Sequence, residues 1–458
     1  MLLLLLGAVL LSVEGCYWSN HCPYQLYSSK TPYDAVRGDI RDYPTLDLHC
    51  EAVSIWTLNR HGNRNPGTSV TASMRIIADL KDEIIASYDA GRSQLCAQDI
   101  DEFRKWTWNE TLEVSQSYLT GEGYEELYDI AKRIREKYPH LLEGTDDEYY
   151  FRPTNEQRTL TSAIAFVHGL TDGTNLTLEA DSPRTPDNII RPYENCDRYQ
   201  QEVRGGQTLQ DQLDAYFSTA EYIAVQNAVQ QRLGITTQLS TEDIYSIYEL
   251  CRFYRSWTED LRSPWCAAFT EEDLIVLEYR DDVRHYHRNG YGSWVGDSVP
   301  FSVRDLYENF EAVVEGQGRK LVSYFTHDTM LEMFYCALGV FRDASPLQGG
   351  RRDVNRLWRT SFIGAFSVNT IAVLNRCGGT EAHDYYVQLF INEKPTELCP
   401  LEGCTWQQFM NMFQPFTLAN LDFCSMDYRV PVENGVQDLK GLYWLLVVQC
   451  LVVFIWKL

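Results

Sequence analysis

No C-x-x-C pair, Pro/Ser-rich linker, internal repeat or low-complexity tract occurs in the 458 residues, and basic side chains are outnumbered 64 to 40 by acidic ones. Each scarcity removes a class of explanation. Scattered cysteines argue against a metal centre. The missing linker means that any two domains are interleaved rather than strung together. A formal charge of −24 sets a repulsive field against nucleic acid. An acidic protein that handled an anionic substrate would therefore need a local basic pocket. Composition is otherwise that of a globular chain, since 44% hydrophobic and 13% aromatic residues exclude large-scale disorder.

Both ends of the chain are apolar. "MLLLLLGAVLLSVEG" reads as a signal peptide over 1–15, with Val13 and Gly15 as small residues at the cleavage positions, although no basic residue follows the amino terminus. "GLYWLLVVQCLVVFIWKL" stops short of the about 20 residues a membrane span wants. Following Asn434 and Gly435, it reads as a glycosylphosphatidylinositol-anchor signal over 435–458, with a polar spacer, "VQDLK", shorter than the usual about 8 to 12 residues. The expected location is the secretory pathway and the extracellular face of the plasma membrane, with free secretion or the endoplasmic reticulum lumen as alternatives. The sequons at Asn109 and Asn175 point the same way. Cleavage after Gly15 and loss of Cys450 would leave twelve of the thirteen cysteines, an even number. Cys399 with Cys404, and Cys251 with Cys266, are close enough in sequence to suggest local disulfide loops.

Helical periodicity marks 70–90, 119–138, where Tyr124, Leu127, Ala131, Ile134 and Tyr138 recur three or four apart, and most of 206–262. Runs rich in β-branched and aromatic residues mark strands at Val53–Leu58, 149–154, 321–328, 363–375 and 385–391. The alternation predicts an α/β fold. A mixed sheet flanked by helices is expected over roughly 45–75, 145–190 and 270–425, with an inserted all-α cap over roughly 76–144 and 191–269.

Where the first strand ends, "TLNRHGNRNPGTS" places two arginines, a histidine, a glycine and a proline within seven residues. Open α/β sheets build ligand sites at the carboxyl ends of their strands. Arg-His-Gly-x-Arg-x-Pro should arise by chance in about one chain in ten thousand of this length. Neutral imidazole is a nitrogen nucleophile able to attack phosphorus, and guanidinium forks match the equatorial oxygens of a phosphoryl group. Flanking cations also disfavour imidazolium, keeping the nucleophile competent at mildly acid pH.

Arg60, His61, Gly62, Arg64 and Pro66 match the signature of the histidine acid phosphatases, which the chain resembles. "FRPTNEQRT" is similar to that family's second arginine motif, and "YFTHDTM" to its late His-Asp motif. The resemblance implies a phosphoglycerate-mutase-like core and a phosphohistidine on His61. Arg60, Arg64, Arg152 and His327 would hold the phosphate, with Arg158 in support, and Asp328 would donate the proton. It also implies a Cys50–Cys377 bridge and no cofactor. "LTGEGYEEL", "YRDDVRHYHRNGYG" and "YYVQLFINEKP" resemble segments of the multiple inositol polyphosphate phosphatases, so inositol polyphosphates such as phytate are the expected substrates. A broad acid phosphatase or a 2,3-bisphosphoglycerate phosphatase is the alternative, and a non-catalytic cell-surface binding protein is the rival of another class. One departure concerns the leaving group: that subgroup carries His-Ala-Glu where this chain has His327-Asp328-Thr329.

Other polar clusters have plainer readings. His285 and His287 mimic a metal pair, but Arg284 and Arg288 flank them and no third ligand is evident. Arg75 and Lys81 read as a solvated helix face, and Asp99, Asp101 and Glu102 as surface charge.

Overall fold

The run Cys50–Arg60 is buried along its last seven residues, as a central strand covered on both faces must be. The computed structural model describes residues 24–44, 46, 49–257, 262–294, 301–378 and 384–427. The expected signal peptide (1–15), Cys16 and the expected anchor signal (435–458) lie outside the described residues. Among the described residues no helix is long and apolar enough to cross a membrane.

In chain order the elements are β1 (Cys50–Arg60), α1 (Thr68–Ala78), α2 (Lys81–Asp89), α3 (Ala97–Lys105), α4 (Gly121–Lys137), β2 (Tyr149–Pro153) and α5 (Gln157–Thr171). Then come α6 (Gln207–Phe217), α7 (Ala220–Leu233), α8 (Thr241–Trp257), α9 (Glu271–Asn289), α10 (Phe301–Val314), β3 (Leu321–Thr326) and α11 (Asp328–Ala337). The chain continues through α12 (Thr360–Ile363), β4 (Asn369–Cys377), β5 (Asp384–Ile391), β6 (Lys394–Pro395), β7 (Cys404–Thr405) and α13 (Trp406–Phe413). The seven strands form one sheet ordered β2-β3-β1-β4-β5-β6, with β7 on β5. β1 and β2 flank β3 in parallel, whereas β4 runs antiparallel to β1 and β5 antiparallel to β4. This is the expected mixed sheet flanked by helices.

Strand alternation assigns the two faces. Phe325 and Phe151 meet Phe166 of α5 on one side. On the other, Trp56 stacks on Phe334 of α11 with ring centroids 5.7 Å apart, and its Nε1–H donates to Asp305 of α10 at 2.8 Å. Each such aromatic anchor contributes about 1.5–3 kcal/mol by burial. The parallel trio β2-β3-β1 therefore ends as a rigid platform.

Two expected runs are divided. Residues 70–90 break between α1 and α2, and 363–375 begins as a helical turn and a loop before β4. Ser367 is the cause of the second break, because its φ of +56° is left-handed and no strand residue adopts it. Helix α4 falls within the expected cap range, yet it lies along α5: a Cβ on Gly169 would stand 2.2 Å from the Tyr128 carbonyl oxygen. Elsewhere Phe103 and Trp106 meet Trp265 edge-on and Trp106 meets Tyr254, joining the end of α3 to α8 in an aromatic cluster.

Disulfides join Cys50 to Cys377, Cys251 to Cys266, Cys399 to Cys404 and Cys196 to Cys424. The first three match the expected pairings, and Cys50 and Cys377 are register partners across β1 and β4. Such bridges belong to a secretory or extracellular protein.

Candidate active site

The carboxyl ends of β1, β2 and β3 converge, and three polar segments meet there. The loop after β1 can pass beneath α4 because two glycines face each other. A Cβ on Gly62 would lie 2.1 Å from the Gly123 carbonyl oxygen, and one on Gly123 would lie 2.1 Å from that of Asn63. Thr120 caps α4 by accepting from the Gly123 N–H at 3.1 Å and donates its hydroxyl to the Asn63 carbonyl at 3.1 Å.

His61 is 2% exposed. Its Nδ1 lies 2.8 Å from the Gly62 carbonyl oxygen. A carbonyl only accepts, so Nδ1 carries the proton and Nε2 keeps the lone pair. Burial first, then Arg60, Arg158, Arg64 and His327, hold His61 well below the usual imidazole range. Neutral His61 is therefore the resident form at mildly acid pH.

Arg60 is fully buried. Its Nη1 donates to the carbonyls of Ser29 at 2.7 Å and Gly364 at 2.6 Å, and its guanidinium lies over the Phe366 ring at 4.8 Å. Nη2 faces Asp328 Oδ2 at 3.3 Å. Arg64 is held by its own neighbour, Nη1 donating to the Asn65 carbonyl at 2.7 Å.

The two arginines of "FRPTNEQRT" occupy positions opposite to those expected. Arg152 lies inside β2, in register with Tyr324. Its guanidinium spans both oxygens of buried Asp187 at 3.1 and 3.2 Å, reaches the Tyr150 hydroxyl at 3.2 Å and covers the Tyr324 ring. It is not brought to His61. Arg158, in the first turn of α5, is: its Nη2 donates to His327 Nδ1 at 3.3 Å. The correction has a simple reason. A residue within a strand points into a packed face, whereas the first turn of the following helix overhangs the strand end.

Because a guanidinium only donates, His327 Nδ1 is the acceptor, and Nε2–H donates to Thr154 Oγ1 at 3.1 Å. That hydroxyl in turn meets Thr159 Oγ1 at 2.9 Å, which donates to the Thr154 carbonyl. Burial, with Arg158 and Arg191 adding to it, holds His327 well below the usual range. Its ring stands edge-on to that of His61, with centroids 5.6 Å apart.

Asp328 opens α11, and its Oδ1 accepts from the Thr329 N–H at 2.8 Å. Burial pushes this carboxyl up, but Arg60, followed by His285, Lys30 and His61, outweighs it and holds the group well below the usual carboxylate range. Thr329, which stands where the subgroup's glutamate would be, has no carboxyl, so Asp328 is the acidic residue of the first turn.

Sequence reasoning missed Lys30 and Glu126. Lys30 is 9% exposed, with Nζ donating to Ser29 Oγ at 2.8 Å. Burial, reinforced by Arg252, Arg64 and Arg60 and opposed by Glu249, pushes its ammonium down to about 7. No spacing in "YSSKTPY" signals a site. His285 pairs with Glu332 at 2.8 Å and His287 with the Leu347 carbonyl at 2.9 Å, and no cluster able to hold a metal occurs among the described residues. Asp99 is buried and accepts from the Cys96 N–H at the start of α3, so it is not surface charge.

Arg60 Nε, Arg64 Nε and Arg158 Nε are buried without a hydrogen-bond partner among the described residues, and Arg60 Nη2 has only its ion pair with Asp328. Each orphaned donor costs about 1–3 kcal/mol. An oxyanion with several acceptor lone pairs would relieve that cost.

Known proteins are similar to this chain over most of its length. A 29% identical relative over 96% of both chains is the multiple inositol polyphosphate phosphatase 1 of Drosophila melanogaster. That of Gallus gallus is 27% identical over 81% of this chain and 84% of its own. Among solved structures, the phytase from D. castellii superposes with a TM-score of 0.69 at 17% identity, covering 86% of this chain and 87% of that one. The Bifidobacterium longum multiple inositol polyphosphate phosphatase, in complex with inositol hexasulfate, gives 0.62 at 13% identity over 82% and 94%. The family model described as histidine phosphatase superfamily (branch 2) matches residues 53–392, from inside β1 to the end of β5, and the chain belongs to that superfamily.

Proposed function

We propose that the protein is a phosphomonoesterase that hydrolyses inositol polyphosphates through a phosphohistidine on His61. The observation that carries this reading is the set of unpartnered arginine donors around a neutral imidazole. His61 Nε2 attacks phosphorus in line, forming the P–N bond as the P–O bond to the leaving alcohol breaks. Arg60, Arg64 and Arg158 neutralise charge on the equatorial oxygens, and such preorganised donors act at full strength in a water-poor site. His327 keeps Arg158 aimed through Nδ1. Asp328 gives its proton to the departing alkoxide, then takes one from the water that cleaves the P–N bond.

With Asp328 held below the ordinary range, its protonated form requires acid or a bound anion that offsets Arg60. Activity in the acid range follows. The relatives named above support inositol polyphosphates as substrates, and Lys30 adds a cation beside those around the reacting phosphoryl. Asp328 in place of a later glutamate favours a second reading, a broad acid phosphatase or 2,3-bisphosphoglycerate phosphatase. Turnover of phytate against a small aryl phosphate separates them: negligible phytate hydrolysis rejects the first. A binding protein without turnover would release no phosphate from either.

The helices of 76–144 and 191–269, α4 excepted, are the proposed cap. The apolar run at 435–458 supports a lipid anchor, which predicts release from cells by a phosphatidylinositol-specific phospholipase.

A further inference from the structure

Five backbone N–H groups hold the loop after β1 in place. Arg60 N–H donates to the Val368 carbonyl, His61 N–H to that of Thr326, and Asn65 N–H to that of Tyr118, at 2.8–2.9 Å. Gly62 N–H reaches Ser162 Oγ at 3.1 Å. The fifth, Asn63 N–H, goes to an ionisable side chain, Glu126 Oε2, at 2.8 Å.

Glu126 is not spent on a cation. Among the described residues it forms no ion pair within salt-bridge distance, although arginines crowd the neighbouring site. Instead the same Oε2 accepts from Ser367 Oγ at 2.7 Å, and Oε1 accepts from the Tyr33 N–H at 3.3 Å. One carboxyl group on α4 thus gathers the histidine loop, the loop before β4 and the amino-terminal segment.

Ser367 makes the contact directional. Its φ of +56° is a left-handed conformation that costs a non-glycine residue energy and persists only where the surroundings enforce it. In that conformation its N–H donates to the His61 carbonyl at 3.2 Å while its hydroxyl turns to Glu126. The two residues close a ring around the His61–Asn63 backbone.

We propose that Glu126, acting with Ser367, is a positioning residue that fixes the height and heading of His61 for attack. The inference rests on His61 being the nucleophile. Arg60 is anchored separately, by Ser29 and Gly364, so loosening the ring disturbs attack more than phosphate binding.

Glu126→Gln can keep its one acceptor oxygen on the Asn63 N–H and the Ser367 hydroxyl only by setting its N–H₂ against the Tyr33 N–H, donor against donor, so the side chain is displaced from the ring. It is expected to lower kcat about 10- to 100-fold, since misplacing a reacting group by about 1 Å costs rate on that scale. KM for an aryl phosphate should stay within about twofold, as uniform binding is preserved. Ser367→Ala should reproduce this split, and Ser367→Gly should too if the hydroxyl rather than the backbone strain is what matters. The double variant should be no slower than the slower single one, because both act through one ring.

A purely structural role would lower the urea midpoint and leave kcat per folded molecule unchanged, which overturns the inference. Should Glu126→Gln fail to fold, the serine variants decide alone: a wild-type kcat in both overturns it. His61→Ala is the control. If that variant still hydrolyses, the nucleophile assignment fails whatever Glu126 does. If it is inactive while folded Glu126→Gln keeps wild-type kcat, only the positioning role fails.

Discussion

Arg158→Ala and Arg152→Ala remove the same charge from the same motif, yet they are expected to fail in different ways. Arg158 stands over the strand end with one nitrogen on His327 and a buried Nε without a partner. A guanidinium that meets charge developing on a transferring phosphoryl is comparable to an oxyanion donor, whose loss costs about 2.7–4 kcal/mol, or about 100- to 1,000-fold in kcat. Arg152 instead neutralises Asp187, and the two side chains are 2% and 3% exposed. Removing one member of such a buried pair leaves the other charged and unpaired, at about 3–5 kcal/mol of stability. The assay is kcat/KM for p-nitrophenyl phosphate, normalised to the folded fraction by circular dichroism, beside a urea unfolding curve. Arg158→Ala should be stable and slow, and Arg152→Ala unstable but, where folded, near wild-type in rate. A stable, inactive Arg152→Ala beside an active Arg158→Ala would refute the reversal of the two roles.

Four further outcomes follow from the same geometry. Lys30 is protonated below about 7 and neutral above it, so inhibition by sulfate, whose own charge is constant there, should weaken as pH rises through that value. Lys30→Met should abolish this limb, and an unchanged profile would remove Lys30 from the site. Because folding lowers this pKa, the folded chain binds fewer protons than the unfolded one from about 7 up to the ordinary lysine range, and stability rises with pH across that window. Gly62→Ala must displace the Gly123 backbone, and a shift of about 1 Å predicts a loss of about 100-fold or more in kcat; wild-type turnover would show that the close contact is dispensable. Replacing Cys50 and Cys377 together by serine should cost about 2–4 kcal/mol in urea unfolding with kcat unchanged in native buffer.

The strand ends were legible because the chemistry there is dense in sequence: Arg60, His61 and Arg64 share one loop, and His327-Asp328 directly follows a buried apolar run. The pattern of β-branched residues also located the five principal strands. It failed at 363–368, where Ser367 turns the chain although its neighbours are apolar. The order of Arg152 and Arg158 was recoverable in principle, since only the second lies beyond the strand. Lys30 and Glu126 were not, because their roles depend on tertiary approach: Lys30 enters beside Arg60 and Arg64, and Glu126 faces the loop only once the two glycines let α4 pack. Cys196–Cys424 is of the same kind, a link across 228 residues that no local spacing announces.

The central claim is that phosphate passes through His61. Acid-labile phosphoenzyme should be sought by rapid alkaline quench of labelled aryl phosphate turnover, followed by mapping of the label. Label is expected on His61, absent in His61→Ala, and accumulating in Asp328→Asn, which accepts phosphate from a good leaving group but activates water poorly. Phosphate release by His61→Ala at the wild-type rate, or label on another residue, would contradict the account.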